Sequence, residues 1–293
     1  MRRILLALLL AIPAFATKLT VAVSLQPYSS VVHEIGGDQV NVVTMVPAGA
    51  DPHTFEPKPA ALKDFAKATV YFSDGSGMDA AWLPRFKGVN KNVNVVSLSK
   101  GIAWMEEDEH HHHEGAEDHH DEHHDDGGEE LDPHLWTSPV QMMQIAENLC
   151  ESLMNLDASN KDLYRKRTND LVARLKTLDQ ELRQSVNGLP ADGRTFIVFH
   201  PAYGYFARDY GMKQLTVEVN GKEPKPRDLA NLVKTGKQNN VHIVFVQPQF
   251  SKRAATTIAK ELDATILETD PLALDYEKNI RALLNAIREK SAK

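Results

Sequence analysis

Histidine is the residue type whose distribution in this 293-residue chain carries the most chemistry. Imidazole and carboxylate groups both bind divalent metal ions, and imidazole suits zinc, copper and nickel. Eight of the thirteen histidines lie in residues 106–130, a segment made almost entirely of Glu, Asp, His and Gly. These eight are His110, His111, His112, His113, His119, His120, His123 and His124.

The acidic segment 106–130 cannot bury enough apolar surface to offset the entropy lost on ordering, so we expect a disordered loop. Such a loop offers many weak, exchangeable metal sites without a fixed geometry. A solvated acidic linker and an engineered tag are the alternatives. The tag is disfavoured because the histidines are internal and interleaved with acids.

Three of the other five histidines share their surroundings. His53 and His134 each end an Asp-Pro-His triplet, and His200 ends a predicted strand and precedes Pro201. Proline fixes its own φ and restricts the residue before it, so all three histidines lie in stiff backbone. One such histidine is usually structural, whereas three in matching surroundings favour a single prebuilt metal site. His33, within a helix, and His242, at the start of a strand, are interpreted as structural.

A zinc site needs a fourth ligand beside three histidines, because zinc in proteins is usually four-coordinate and tetrahedral. The best candidate is Asp270, which follows a predicted strand and precedes Pro271. Glu268 and a water molecule are the alternatives.

Short apolar runs alternate with helical patterns, which indicates α/β architecture with mainly parallel sheets. Predicted strands cover 18–25, 39–46, 69–73, 92–97, 195–200, 242–247 and 265–268, and predicted helices cover 27–35, 59–68, 138–156, 226–238, 252–262 and 276–290. Between the two halves, apolar residues recur at spacings of three and four from about 159 to 186, which predicts one long amphipathic helix.

The predicted fold is therefore two α/β lobes joined by a single long rigid helix, with the metal in the cleft between them. Ligands of open parallel sheets bind at the carboxyl ends of the strands. The predicted boundaries are a signal peptide over 1–16, a first lobe over 17–156, a linker helix over 157–188 and a second lobe over 189–293.

The start of the chain predicts export. Arg2 and Arg3 precede a short apolar run, and Ala14-Phe15-Ala16 fits a signal-peptidase site. We expect a periplasmic protein without a lipid anchor, because no cysteine follows that site. Cys150 is the only cysteine, so an intramolecular disulfide is excluded.

Thirteen acids lie in 106–130, so the rest of the chain is net positive despite the overall charge of −7. No concentrated basic stripe supports nucleic-acid binding.

Several motifs together resemble the zinc/manganese family of solute-binding proteins that serve bacterial ABC importers, and most closely its zinc members. They are Gly49-Ala50-Asp51-Pro52-His53-Thr54-Phe55-Glu56-Pro57, Asp132-Pro133-His134-Leu135-Trp136, Phe199-His200-Pro201-Ala202-Tyr203, Asn220-Gly221-Lys222-Glu223-Pro224, Pro248-Gln249-Phe250 and Asp270-Pro271. They follow the family's order over the whole mature chain. An acidic, His-rich loop before the second histidine is also typical of zinc importers.

The resemblance implies Zn²⁺ as the transported ligand, held by His53, His134, His200 and Asp270. It also implies an ABC permease and its ATPase as partners. We further expect a monomer, and auxiliary periplasmic zinc chaperones are additional candidate partners. Manganese members generally carry a carboxylate in place of the third histidine, so His200 indicates zinc. Gln247 departs from the family, where many relatives have Glu, and we expect this difference to affect local packing only.

Three alternatives remain open at this stage. The same transport role could serve manganese, nickel or copper, and the same pocket could serve a periplasmic zinc buffer or an adhesin. A zinc hydrolase is disfavoured, because the chain has neither an H-E-x-x-H motif nor a Gly-x-Ser-x-Gly elbow. Glu56, three residues after His53, is the candidate general base for such a reaction. We therefore predict a carrier and not an enzyme.

Overall fold

The computed structural model of the protein describes residues 18–106, 131–219 and 222–291. The predicted signal peptide and all eight histidines of the acidic segment lie outside the described residues. Within the described part, no helix combines the length and apolar character needed to cross a membrane.

Two four-stranded parallel sheets form the centres of two lobes. The first sheet contains β1 (Leu19–Val23), β2 (Val40–Thr44), β3 (Val70–Ser73) and β4 (Asn94–Ser97), in the order β2-β1-β3-β4. The second contains β5 (Thr195–Val198), β6 (Lys213–Thr216), β7 (Ile243–Val246) and β8 (Thr265–Glu268), in the order β6-β5-β7-β8. The same strand order therefore occurs twice. Central strands such as β7 are buried along their whole length, as expected for a sheet covered by helices on both faces.

Nine helices of the described residues surround the sheets. They are α1 (Gln26–Gly36), α2 (Pro59–Phe65), α3 (Gly77–Val89), α4 (Pro139–Leu156), α5 (Lys161–Asn187), α6 (Gly204–Tyr210), α7 (Pro226–Gln238), α8 (Lys252–Leu262) and α9 (Tyr276–Ser291). The start of α4 is set by its sequence: Pro139 occupies the first turn, and the Ser138 hydroxyl accepts a hydrogen bond from the Val140 N–H at 3.2 Å.

The long helix α5 joins the lobes. Its 27 residues span about 40 Å, and its apolar stripe is buried from Tyr164 to Val186. It packs against α1 and α4 of the first lobe and α6 and α9 of the second. Arg174 binds Glu34 of α1 and Glu277 of α9, so one side chain ties both lobes to the helix. The two-lobe α/β fold is thereby confirmed.

Some elements differ from the sequence prediction. The sequence analysis missed α3, α6 and β6. Pro84 lies inside α3, and α6 and β6 are only seven and four residues long, so each gives a weak pattern. Strand β5 ends at Val198, two residues before His200. One buried core runs from the first sheet past α5 to α9, so the predicted domain boundaries stay a prediction.

Two buried carboxylates shape the turn between β3 and α3, whose Ser76, Gly77 and Met78 line the cavity between the lobes. Asp74 accepts hydrogen bonds from the Ser24 hydroxyl at 2.5 Å and the Ser76 N–H at 2.9 Å.

Asp79, the second carboxylate of this turn, accepts from the hydroxyl groups of Tyr71 and Ser73. The side chain of Tyr28 also lies beside the pair. Burial, followed by the neighbouring Asp79 carboxylate, raises the pKa of Asp74 to about 8. The proton on Asp74 removes its repulsion with the Asp79 carboxylate and therefore stabilises the turn.

We predict that the protein loses stability as the pH rises through about 8. The folded state binds the Asp74 proton more tightly than the unfolded chain, so this contribution is complete below about pH 4 and is lost on the way to pH 8. Replacing Asp74 by Asn should flatten the dependence of the free energy of unfolding on pH between 5 and 9, as measured by urea denaturation. Asp64→Asn is the matched control, because Asp64 is exposed and Lys67 lowers its pKa. Parallel profiles for wild type and Asp74→Asn would contradict the prediction.

Candidate metal site

Three imidazoles that lie far apart in the sequence meet in the cleft. The Nε2 atom of His200 lies 3.1 Å from the Nε2 of His53 and 3.1 Å from the Nε2 of His134. All three candidate ligand atoms lie within 4.8 Å of one another. Zinc–nitrogen bonds of about 2.0–2.1 Å in a tetrahedral complex put nitrogen atoms about 3.3 Å apart. The spacing therefore fits three ligands of one tetrahedral ion.

Each histidine follows a parallel strand, at the carboxyl end of its sheet. His53 lies between β2 and α2, His134 between β4 and α4, and His200 just beyond β5. The two Asp-Pro-His triplets adopt the same local turn, in which the aspartate accepts the backbone N–H of the histidine two residues later. The distances are 3.0 Å from the His53 nitrogen to Asp51 and 2.8 Å from the His134 nitrogen to Asp132. The repeated triplet thus encodes the repeated backbone geometry.

Carboxylates orient the two buried imidazoles. His134 Nδ1 lies 2.7 Å from Asp132 Oδ1, and His200 Nδ1 lies 2.7 Å from Glu218 Oε1. An ionised carboxylate only accepts hydrogen bonds, so each Nδ1 carries the proton and donates it, and each Nε2 presents a lone pair to the cleft. A Cβ on Gly204 would lie 2.3 Å from Asp132 Oδ2, so the close packing of this carboxylate requires glycine.

The three histidines are not equivalent. His134 and His200 are buried, and their rings lie against Trp136 and Phe250, at centroid distances of 5.4 and 5.1 Å. His53 is exposed, and Asp51 binds its backbone N–H and the Thr54 hydroxyl instead of orienting the ring.

The environment of the cleft favours the neutral form of two of the histidines, His53 and His134. Part of the His53 side chain is exposed, yet the groups packed around the ring desolvate it. This desolvation, followed by the nearby imidazoles of His134 and His200, lowers the pKa of His53 to about 4. Burial lowers the pKa of His134, although Asp132 acts in the opposite direction. Because only neutral imidazole binds a metal ion, the lowered pKa values of both rings favour metal binding.

The structure does not bring Asp270 into the three-histidine group. Its Oδ1 atom accepts hydrogen bonds from Gln249 Nε2 at 3.1 Å and from the Leu272 N–H at 3.0 Å. The role of Asp270 as fourth ligand stays a prediction. The alternative Glu268 forms an exposed ion pair with Lys252 at 2.8 Å. His33 and His242 also lie outside the group, and their structural interpretation stays a prediction.

Two residues that support His200 escaped the sequence analysis as contributors to the site. Glu218 had no motif to mark it. Gln247 was noted only as a departure from the family, yet its side chain is fully buried and pairs with the backbone of His200. The His200 N–H donates to Gln247 Oε1 at 3.2 Å, and Gln247 Nε2 donates to the His200 carbonyl at 2.7 Å. The side-chain amide of Gln247 thus extends the hydrogen bonding between β5 and β7 by one residue beyond the backbone bond from the Phe199 N–H to the Phe245 carbonyl.

A small, largely apolar cavity of about 50 Å³ adjoins the three imidazoles. That volume accommodates an ion and a few water molecules. Its walls include side chains of both lobes: Leu25, Met78, Trp136, Ala202, Phe250 and Leu272. Water exclusion by such walls strengthens the interaction between a cation and the ligands.

Two parallel-sheet lobes around three converging imidazoles define a binding protein for a divalent metal ion. Comparison with known proteins agrees. The zinc uptake protein ZnuA of Bacillus subtilis (strain 168), described as high-affinity, is 32% identical over 251 residues, which are 84% of this chain and 76% of that protein.

A crystal structure of ZnuA matches with a TM-score of 0.83 and 35% identity, covering 94% of this chain and 99% of the other. The manganese ABC transporter substrate-binding lipoprotein PsaA of Streptococcus anginosus is 27% identical over 269 residues, covering 87% and 82% of the two chains.

The chain belongs to the ZnuA family, described as the periplasmic component A of the zinc-uptake complex, whose sequence profile matches residues 21–290. The protein is accordingly a metal-binding component of an ABC transporter. This confirms the resemblance found in the sequence.

We predict that Gln247→Leu weakens metal binding by about tenfold, because partners of ligating histidines typically contribute 10- to 100-fold in affinity. The change leaves the buried N–H and carbonyl of His200 unpaired. Gln247→Glu should lie between wild type and Leu, since a protonated carboxyl group can restore the bond to the carbonyl. Chelator competition measures the affinities. Gln184→Glu on the exposed face of α5 is the control. Wild-type affinity in Gln247→Leu would contradict the prediction.

Proposed function

We propose that this protein captures Zn²⁺ in the periplasm and delivers it to the permease and ATPase of an ABC importer. The convergence of the His53, His134 and His200 Nε2 atoms supports this proposal most strongly. A set of three nitrogen ligands favours zinc over manganese, which prefers oxygen. The zinc uptake relative and the manganese relative both match the chain, so the histidine chemistry is the argument for zinc.

A carrier, and not an enzyme, is the role that the geometry of the cleft favours. Glu56, the candidate general base, is exposed and lies outside the three-histidine group. The groups that contact the histidines orient them or cover their faces with aromatic rings. The transport function of the relatives points in the same direction.

We further propose export by a cleaved signal peptide without lipid attachment, and action as a monomer. Auxiliary zinc chaperones are further candidate partners.

The acidic segment 106–130 gathers zinc loosely and passes it to the cleft. The chain geometry is compatible with this transfer: Glu106 and Leu131 form an antiparallel bridge, and Asp132, the next residue, binds His134. The ends of the segment therefore lie close to the metal site.

We predict that the protein lacking residues 107–130 of the acidic segment binds one zinc ion tightly. In this protein, His53→Ala, His134→Ala and His200→Ala should each lower the zinc affinity by at least about 100-fold. Loss of one of three protein ligands removes a coordinate bond, whereas His33→Ala and His242→Ala leave the site intact and serve as matched controls. Elemental analysis and chelator competition measure stoichiometry and affinity. Equal affinity in all five variants would refute the proposed site.

Deletion of residues 107–130 should leave the tight zinc site and remove several weak ones. This deletion preserves the bridge between Glu106 and Leu131, and a short Gly-Ser linker can close the gap. Isothermal titration with zinc should show weak sites in the full chain only. Loss of the tight site in the deletion variant would contradict the proposal that the acidic segment binds zinc weakly while the cleft binds it tightly.

A further inference from the structure

The outer surface of the second lobe carries a concentration of positive charge. Helices α7 and α8 pack against each other and cover one face of the second sheet, through a core that includes Val244 and Ile258. Residues 222–260, which contain both helices, hold eight exposed Lys and Arg side chains and only two acids. These eight side chains define the basic face: Lys222, Lys225, Arg227, Lys234, Lys237, Lys252, Arg253 and Lys260.

The basic face holds the surplus positive charge of the folded chain. Outside the predicted signal peptide, the acidic segment and residues 222–260, the chain has 23 Lys and Arg against 25 acids. The matching outer layer of the first lobe, residues 55–97, has six Lys and Arg against four acids. Lys252, paired with Glu268 at 2.8 Å, is the one member of the basic face with an ion pair among the described residues. Unpaired like charges on one surface repel one another, so this face favours an anionic partner.

The acidic segment has the charge and the reach to be that partner. Residues 107–130 contain twelve acids and neither Lys nor Arg. Both ends of the segment are held at one point, because Glu106 and Leu131 form a backbone bridge. Half of the segment, fully extended, spans roughly 40 Å. Its acids can therefore contact surfaces well beyond the edge of the first lobe.

The bridge and the basic face lie on opposite sides of the three-histidine cluster. Asp132, the residue after the bridge, binds His134 of the first lobe. On the other side, Phe250 stacks on His200 with ring centroids 5.1 Å apart, and Lys252 follows two residues later at the start of α8. The Nε2 atoms of His134 and His200 are 3.1 Å apart. The near edge of the basic face is therefore within reach of the segment.

We propose that the acidic segment docks on the basic face of the second lobe when no metal is bound to the segment. Each exposed ion pair contributes little by itself, so docking depends on many weak contacts at once. Attachment at the bridge makes this association intramolecular, with an effective concentration in the millimolar range. Dissolved salt screens exposed charges, so docking should weaken as the ionic strength rises.

Docking and weak zinc binding by the segment oppose each other. This consequence rests on the proposed function, in which the histidines and acids of the segment gather zinc. A bound zinc ion cancels negative charge and so weakens the attraction to the basic face. Because coupling between two binding events is reciprocal, docking lowers the zinc affinity of the segment by the same factor. The basic face thereby sets how firmly the segment retains zinc before the ion passes to the cleft.

Zero-length cross-linking detects the docked segment in the full chain. A carbodiimide joins a carboxylate to a lysine amine only when the two groups are in contact. With EDTA present and at low salt, acids of the segment should link to Lys222 and Lys237 of the basic face. Lys63 and Lys87 of the first lobe are also exposed and should link less often. About 0.5 M NaCl should abolish this preference, because it screens exposed charges.

Charge reversal tests the contact without changing the two lysines that report on it. One variant carries four changes on the basic face: Lys225→Glu, Arg227→Glu, Lys234→Glu and Arg253→Glu. Links to Lys222 and Lys237 should be lost in this variant. The matched control has the same net charge and should keep these links, since it reverses four exposed cations of the first lobe: Lys58→Glu, Lys63→Glu, Lys87→Glu and Lys91→Glu. Thermal unfolding checks that both variants fold.

Zinc titration tests the coupling. The weak sites of the segment should bind zinc about fivefold more tightly in the basic-face variant than in the control. The tight site should be unchanged, because none of the four reversed residues belongs to the three-histidine group. Isothermal titration separates the two classes of site. Equal weak-site affinity in the two variants would overturn the coupling.

Three results would overturn the docking itself. The first is equal linking of the segment to lysines of both lobes, and the second is linking to Lys222 and Lys237 that survives charge reversal. The third is equal binding of the full chain and of the chain lacking residues 107–130 to phosphatidylglycerol vesicles, which would assign the basic face to a membrane surface. Docking is measured without metal, so a chain that shows the expected links but binds no zinc would refute the proposed function alone.

Discussion

Three imidazole Nε2 atoms meet at the centre of the molecule, and the lone pairs of His134 and His200 face each other across 3.1 Å, so the fold must hold together rings that do not attract each other. Carboxylates fix the orientation of two of these rings. Asp132 accepts the Nδ1 proton of one ring and Glu218 that of the other, so each Nε2 can act only as an acceptor. A cation converts this unfavourable arrangement into three coordinate bonds. The rest of the structure can be understood as the means of keeping the rings in place before the ion arrives.

The two lobes share this task through direct links. Trp136, beside His134, donates its indole N–H to the Pro271 carbonyl of the other lobe at 2.8 Å. Ser138 and Gln141 at the start of α4 both bind Asp209 at the end of α6. With Arg174 joining α1 and α9 through α5, the lobes are connected on several sides of the cleft. A frame connected in this way restricts opening of the lobes and keeps the ligand spacing defined.

The sequence predicted the parts of this arrangement that depend on local pattern. The Asp-Pro-His triplets, the proline after His200 and the periodic stripe of α5 are patterns of this kind, and the structure has the long helix and brings the three histidines together. Metal binding by these histidines stays a prediction. Glu218 and the amides of Gln247 and Gln249 could not be predicted in the same way. Their roles depend on which backbone or side-chain groups the tertiary fold brings opposite them, and a lone polar residue carries no periodic signal. The role of Asp270 stays a prediction: its motif lies near the cavity, and its carboxylate accepts hydrogen bonds from Gln249 and from the Leu272 N–H.

The bridge between Glu106 and Leu131 makes the geometry of the metal site independent of the length of the segment between these two residues. Because the chain leaves and re-enters the first lobe at one paired point, an insertion there changes only the entropy of loop closure, about 0.6 kcal/mol for each doubling of length. A tract inserted at this position can therefore differ in length or composition while the spacing of the three histidines stays the same.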